Sequence, residues 1–160
     1  MKKIVLILAV AIMAAVTSCG VTSDKTTEKQ LDGTWTSNDS ETEDGVTMNG
    51  TETLTLDAST NEFTQELKLS AFAYGEYMPL GTIKLSGKWS ASKEEINFDF
   101  TEDDIELDID SDFLSEMGGK KALIKEIMES NGSFKIVKLN DDAFTLRDDE
   151  GEKTEYTRAD

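Results

Sequence analysis

The densest run of side chains able to do chemistry is acidic: Asp99, Glu102, Asp103, Asp104, Glu106, Asp108, Asp110 and Asp112 all fall between positions 99 and 112. Paired carboxylates hydrolyse glycosides when one holds a proton and the other is ionised across a sugar ring, and clustered ones hold calcium. The spacing matches neither demand. No Asp-x-Asp-x-Asp-Gly run closed by a glutamate is present, and Glu106, Asp108 and Asp110 alternate with Ile105, Leu107 and Ile109. That alternation puts the acids on the wet face of a strand. Glu102 to Asp104 keep only the capacity for weak contact with a divalent cation. Histidine is absent from the 160 residues, which removes the usual general base, the commonest zinc ligand and the common nucleophilic triads. No catalytic residue, metal ligand or cofactor is assigned, and a non-enzymatic role is expected.

The single cysteine, Cys19, is the remaining nucleophile, and being alone it excludes an internal disulfide. It follows Met1-Lys2-Lys3 and the unbroken apolar run Ile4 to Val16. That run is too short for a stable membrane span but has the size of a signal-peptide hydrophobic region. Val16-Thr17-Ser18-Cys19-Gly20 resembles the bacterial lipobox. The resemblance implies cleavage before Cys19, a diacylglyceryl thioether on its sulfur, and an acyl chain such as palmitate on the new amino terminus. Each buried methylene contributes about 0.8 kcal/mol, so two or more chains anchor where one would not. Glycine rather than aspartate after the cysteine favours the outer membrane of the cell envelope. The expected organisation is a signal peptide over 1–18, a lipidated cysteine and flexible tether over 19–30, and a domain over 31–160.

After cleavage the chain carries 33 acids against 14 bases, since Lys2 and Lys3 leave with the signal peptide. So negative a surface repels nucleic-acid phosphates and anionic headgroups, which argues against nucleic acid as a partner and favours solubility.

From Leu31 onward the pattern has period two. Leu54 and Leu56 share a face, as do Phe63, Gln65, Leu67 and Leu69. Ile83, Leu85, Gly87, Trp89 and Ala91 alternate with Lys84, Ser86, Lys88 and Ser90, and Ile96, Phe98 and Phe100 oppose Asn97 and Asp99. Asn38 to Asn49 reads as an acidic loop, Asn49-Gly50 as a turn, and Ala71 to Gly81 as a loop unusually apolar for a surface, which would cap the open barrel end, gate a pocket or simply form a longer hairpin. Helical spacing interrupts the strands near residues 112–129, with a break at Gly118-Gly119, and three short strands close the chain. These patterns predict a mainly all-β chain: an up-and-down antiparallel β-barrel of about eight or nine strands with one helical insertion. A sandwich is the second choice.

Gly33-Thr34-Trp35 on the first strand and Tyr156-Thr157-Arg158 on the last resemble the ends of the lipocalin and wider calycin domain. The runs LDGTWTSN, DGVTMNGTETLTLD, GTIKLSGKW and EINFDF are similar to the lipocalin-like lipoproteins of Bacteroidetes-type bacteria. The likeness implies a structural pair in which Trp35 plugs one barrel end beneath the Arg158 guanidinium. Such a barrel is either just filled or holds one small ligand. Leu67, Leu85, Trp89, Phe98 and Phe100 are the candidate pocket residues for a small hydrophobic ligand. The alternative is a filled barrel that docks another envelope protein through its acidic exterior or the Ala71–Leu80 segment. The other partner implied is the membrane, through lipid on Cys19.

Overall fold

Period-two alternation becomes nine antiparallel strands in the computed structural model, which describes residues 23–129 and 131–159. The signal segment and Cys19 lie outside the described residues. The strands are β1 (Gly33–Glu43), β2 (Val46–Asp57), β3 (Glu62–Ala73), β4 (Glu76–Ala91), β5 (Glu95–Asp99), β6 (Ile105–Ile109), β7 (Gly132–Leu139), β8 (Ala143–Arg147) and β9 (Lys153–Arg158). Their neighbour order is β3-β2-β1-β9-β8-β7-β5-β4, and β4 pairs back onto β3, so eight strands close a barrel. The ninth, β6, pairs with Gly81–Leu85 of β4, while β5 pairs with Lys88–Ala91 of the same strand. β5 and β6 therefore run end to end along one edge of β4, separated by a 3₁₀ turn at Glu102–Asp104. Closure lets an amphipathic sheet of this size hide its apolar face, while β6, paired with β4 alone, keeps one edge without a strand partner.

Register fixes which side chains enter the barrel. Leu54 lies opposite Gln65, Leu56 opposite Phe63, Trp89 opposite Phe98 and Phe144 opposite Tyr156. These residues belong to the inward-facing set, whose apolar members form one continuous core with Trp35, Ile96 and Leu146. The acids of β6 point out as the alternation demands, Glu106 and Asp108 being exposed and Ile105 buried. Asp110 takes a different part. It caps the following helix, accepting from the amides of Asp112 and Phe113.

Two segments expected as loops are strand. Asn38 to Asn49 continues β1 and β2 in one ladder, and Asn49-Gly50 pairs in mid-strand opposite Ser40 and Asp39 instead of turning the chain. The turn is Asp44-Gly45, and its counterpart between β3 and β4 is Tyr74-Gly75. All four residues have positive φ, at 52°, 82°, 54° and 84°, the geometry that two-residue hairpin turns need to match strand twist. Both ladders outrun the core: every residue from Asn38 to Gly45 is exposed, so hydrophobic alternation vanishes there while backbone pairing persists. That is why the composition read as loop.

The stretch read as tether is also partly ordered. Lys25–Leu31 is helix α1, N-capped by Asp24, whose carboxylate accepts from the Thr26 amide. Leu31 is fully buried and Glu28 is 1% exposed. Glu28 accepts from Ser23, Lys25 and the Ala91 amide. Burial pushes its carboxyl upward, but these bonds outweigh burial and hold it below the usual range. The short α1 escapes an amphipathic reading because its buried face includes polar residues, Thr27 and Glu28, that only tertiary partners satisfy.

The helical insertion is α2 (Ser111–Glu116) and α3 (Lys120–Glu129), broken at Gly118-Gly119, where both φ values are positive. The helices connect the Ile109 end of β6 to the Gly132 start of β7 and add Phe113, Met117, Leu123 and Ile127 to the core.

Trp35 and Arg158 are direct partners across β1 and β9. The guanidinium carbon sits 4.0 Å from the indole centroid, and the fork donates to the carbonyls of Asp141, Asp32 and Gln30 at 2.6, 2.9 and 3.0 Å. The indole N–H donates to Leu31 O at 2.7 Å. Gly33 lets the guanidinium in: its φ is +123°, and a Cβ there would lie 2.6 Å from Arg158 Nη1. Gly33→Ala is expected to destabilise the fold by about 1–3 kcal/mol through backbone strain and displacement of that fork. Urea unfolding would measure it; a change inside about 0.5 kcal/mol would contradict the close approach.

Candidate functional site

Within the largely apolar barrel a polar cluster interrupts the core. Glu52 of β2, Gln65 of β3 and Tyr156 of β9 meet there. Tyr156 Oη and Gln65 Nε2 each donate to Glu52 Oε1 at 2.7 Å. Glu52 is 4% exposed, and burial pushes its carboxyl up to about 7 against the smaller downward pull of the Tyr156 and Gln65 bonds. Burial and the neighbouring carboxylate also drive the Tyr156 phenol well above its ordinary value, so it acts as a neutral donor. No lysine or arginine pairs with Glu52 among the described residues.

A cavity of about 40 Å³ opens beside this trio, lined also by Phe63, Phe98, Phe100 and Thr154. By the measure in which one water occupies roughly 10–15 Å³, it has room for about three water molecules. Phe63 meets Phe98 and Phe100 edge-on at centroid distances of 5.0 and 6.1 Å, which fixes the rings around the space. Of the five candidate pocket residues, Phe98 and Phe100 line this cavity. Leu67 and Trp89 are buried in the core away from it. Trp89 turns its indole N–H to Asp57 O, and Leu85 is only partly buried beside an outer groove.

Neither a protein-family model nor a curated protein matches this chain. Its chemistry is therefore read from its own geometry.

The outer groove, about 460 Å³, lies over β2, β3 and β4 against the 3₁₀ turn, with Thr53, Thr64, Glu66, Lys84 and Asp104 along it. Asp104 there accepts from the Thr101 hydroxyl and amide, which lower its pKa and bind it into the turn. Among the described residues no group of three or more potential metal-binding side chains converges.

The other distinctive surface is the β3–β4 hairpin. Phe72 and Tyr77 face each other across the ladder on its outer side, 46% and 67% exposed, with Tyr74 fully exposed at the turn. Exposed aromatics of this size clustered in a few residues mark contact surfaces in soluble domains. The adjoining β1–β2 hairpin presents Asp39, Glu41, Glu43 and Asp44, all exposed, and Glu76 joins them from β4. Residues 36–50 and 69–83 contain no lysine or arginine.

Of the residues lining this cavity, the alternation marked Phe98 and Phe100 as pocket candidates and left out Glu52. The signal was present. Glu52 stands two residues before Leu54 on the same alternating face, and Gln65 sits among Phe63, Leu67 and Leu69.

Proposed function

We propose that this chain is a lipid-anchored, non-enzymatic protein of the cell envelope whose lipocalin-like barrel binds a partner protein by its outer surface. The observation that carries this reading is the aromatic β3–β4 hairpin, exposed at the barrel end opposite α1. A binding pocket for a drug-sized molecule occupies about 300–1,000 Å³, so a 40 Å³ interior favours the surface over the inside. The Gly33–Trp35–Arg158 arrangement supports the lipocalin-like reading.

The described chain begins at the barrel end opposite the hairpin tips. Cys19 precedes Ser23 by four residues, at most about 14 Å of extended chain, and Ser23 starts the segment that seats α1 against Ala91. The tips at Asp44 and Tyr74 lie at the far ends of strands of 11 to 16 residues, roughly 33 Å or more along the wall. Lipidated at Cys19, the domain holds its aromatic end away from its own membrane. Five carboxylates and no cationic side chain at these hairpins oppose both an anionic bilayer and a second copy of the same end. They suit a cationic protein surface, whose arginines and lysines pair with carboxylates and stack on Tyr74 and Tyr77.

Two experiments test this. Cys19→Ser should move the protein from the membrane fraction of cells to the soluble fraction; unchanged membrane retention would refute the anchor. A photocrosslinking phenylalanine analogue replacing Tyr77 in intact cells should yield a discrete protein adduct that weakens severalfold when Glu41, Glu43, Asp44 and Glu76 become glutamine. The same probe replacing Val137, exposed on β7 away from the hairpins, should give none. An adduct indifferent to those charges, or equal from both positions, would refute the proposed docking surface.

A further inference from the structure

The interior trio leaves an unbalanced set of hydrogen-bonding atoms. Tyr156 uses its one hydroxyl proton on Glu52 Oε1, and Gln65 uses an amide proton on the same oxygen. Among the described residues no donor reaches Glu52 Oε2, and the Gln65 carbonyl oxygen likewise accepts no bond. What the polar groups around the cavity retain is mostly acceptor capacity, with the Thr154 hydroxyl able to turn either way. One of those acceptors is a carboxylate 96% withdrawn from solvent. Such a group either keeps its proton or, once ionised above neutral pH, calls for a donor-rich or positively charged occupant in the cavity it faces.

Size and lining narrow the choice. About 40 Å³ admits up to roughly three heavy atoms. The lining is otherwise phenylalanine and leucine, including Phe63, Phe98, Phe100 and Phe134, rings that tolerate a weakly hydrated cation and make a poor replacement for a full hydration shell. A divalent ion needs more oxygen ligands than one carboxylate, one amide and two hydroxyls, and magnesium gives up its waters reluctantly. We propose that the Glu52–Gln65–Tyr156 cavity is a binding site for a small monovalent cation, with ammonium and methylammonium the best-matched chemistry. Four N–H donors on ammonium suit a ring of acceptors better than the two of a water molecule. The site is independent of the hairpin surface.

The test uses the full chain purified in detergent and melted at pH 8 in chloride salts of equal ionic strength. Ammonium or methylammonium should raise the melting temperature by several degrees over tetraethylammonium, which the cavity cannot admit, and the rise should saturate with concentration. Glu52→Gln should abolish the difference while remaining folded by circular dichroism, and Thr154→Val should reduce it. A rise in potassium or sodium equal to that in ammonium would uphold the cation site and overturn the preference for an ammonium group. Identical melting in all salts, or a salt difference that persists in Glu52→Gln, would overturn the site altogether.

Discussion

Trp35→Ala is expected to destabilise the protein by about 4–5 kcal/mol. Trp35 is fully buried and touches three different parts of the chain. Its ring stands edge-on to Phe144 at 4.8 Å, its N–H bonds α1 through Leu31 O, and its face carries Arg158. Truncating a buried tryptophan leaves a large cavity, worth about 3–5 kcal/mol, and the stranded guanidinium adds about 0.5–2 kcal/mol of lost cation–π attraction. Partial collapse of the site offsets some of this sum. For a domain of this size the loss lowers the melting temperature by roughly 10–15 °C. Trp35→Phe separates the contributions: it keeps most of the apolar contact and loses the Leu31 bond, an effect of about 1–2 kcal/mol. It should also loosen α1, measured as faster amide exchange over residues 25–31. Val137→Ala, on the exposed face of β7, should stay within about 0.5 kcal/mol of the parent. If Trp35→Ala matched Val137→Ala, the plug at this barrel end would be wrong.

The second large effect is an unusual pH dependence. Glu52 has its folded pKa raised from 4.5 to about 7, so over that interval the folded protein holds a proton that the unfolded chain has released. Stability from this group is complete below the unfolded value, falls as pH rises towards 7, and levels off above it. The shift corresponds to about 3 kcal/mol. Asp57, Glu62, Glu66 and Asp104 have lowered pKa values and work the other way, losing stability as pH falls into the acid range. The result is a stability maximum on the acid side of neutrality. Glu52→Gln removes the titrating charge while keeping an oxygen to accept from Tyr156 and Gln65. In tetraethylammonium chloride it should match the parent to within about 1 kcal/mol at pH 4.5 and exceed it by about 2–3 kcal/mol at pH 8. Chemical denaturation across that range measures both curves. Parallel curves would mean that Glu52 is ionised and satisfied in the fold.

Sequence pattern carried the wall of the barrel because inward and outward side chains differ wherever the core lies behind them, as at Phe63–Leu69 and Ile105–Ile109. It failed where the wall runs past the core. Asn38 to Glu43 and Glu76 to Pro79 are held by backbone ladders that leave no hydrophobic rhythm to read, so the acidic stretch passed for a loop and the aromatic one could be read as a cap, a gate or the longer hairpin that it forms. The closing contact at Trp35 and Arg158 was legible through resemblance, since Gly33-x-Trp35 on the first strand and Arg158 on the last look like the two ends of a lipocalin-type domain. The interior carboxylate was legible in register but overruled by composition: among 33 acids, one that faces inward is outvoted by those that face water. Helix α1 was hidden for a related reason, its ordering resting in part on Glu28, which accepts from the Ala91 amide 63 positions away, and on the Gln30 carbonyl, which accepts from Arg158 on the last strand.

On the proposed function the barrel works from its outside, its interior packed around Glu52 and four phenylalanines. Titrating the purified full chain with a fluorescent acyl-chain probe tests that most directly. The expected result is no saturable binding and no change in the emission of Trp35 or Trp89. Stoichiometric, saturable uptake of the probe that is lost when Phe98 is replaced by tryptophan would place a large ligand inside the barrel and contradict the account.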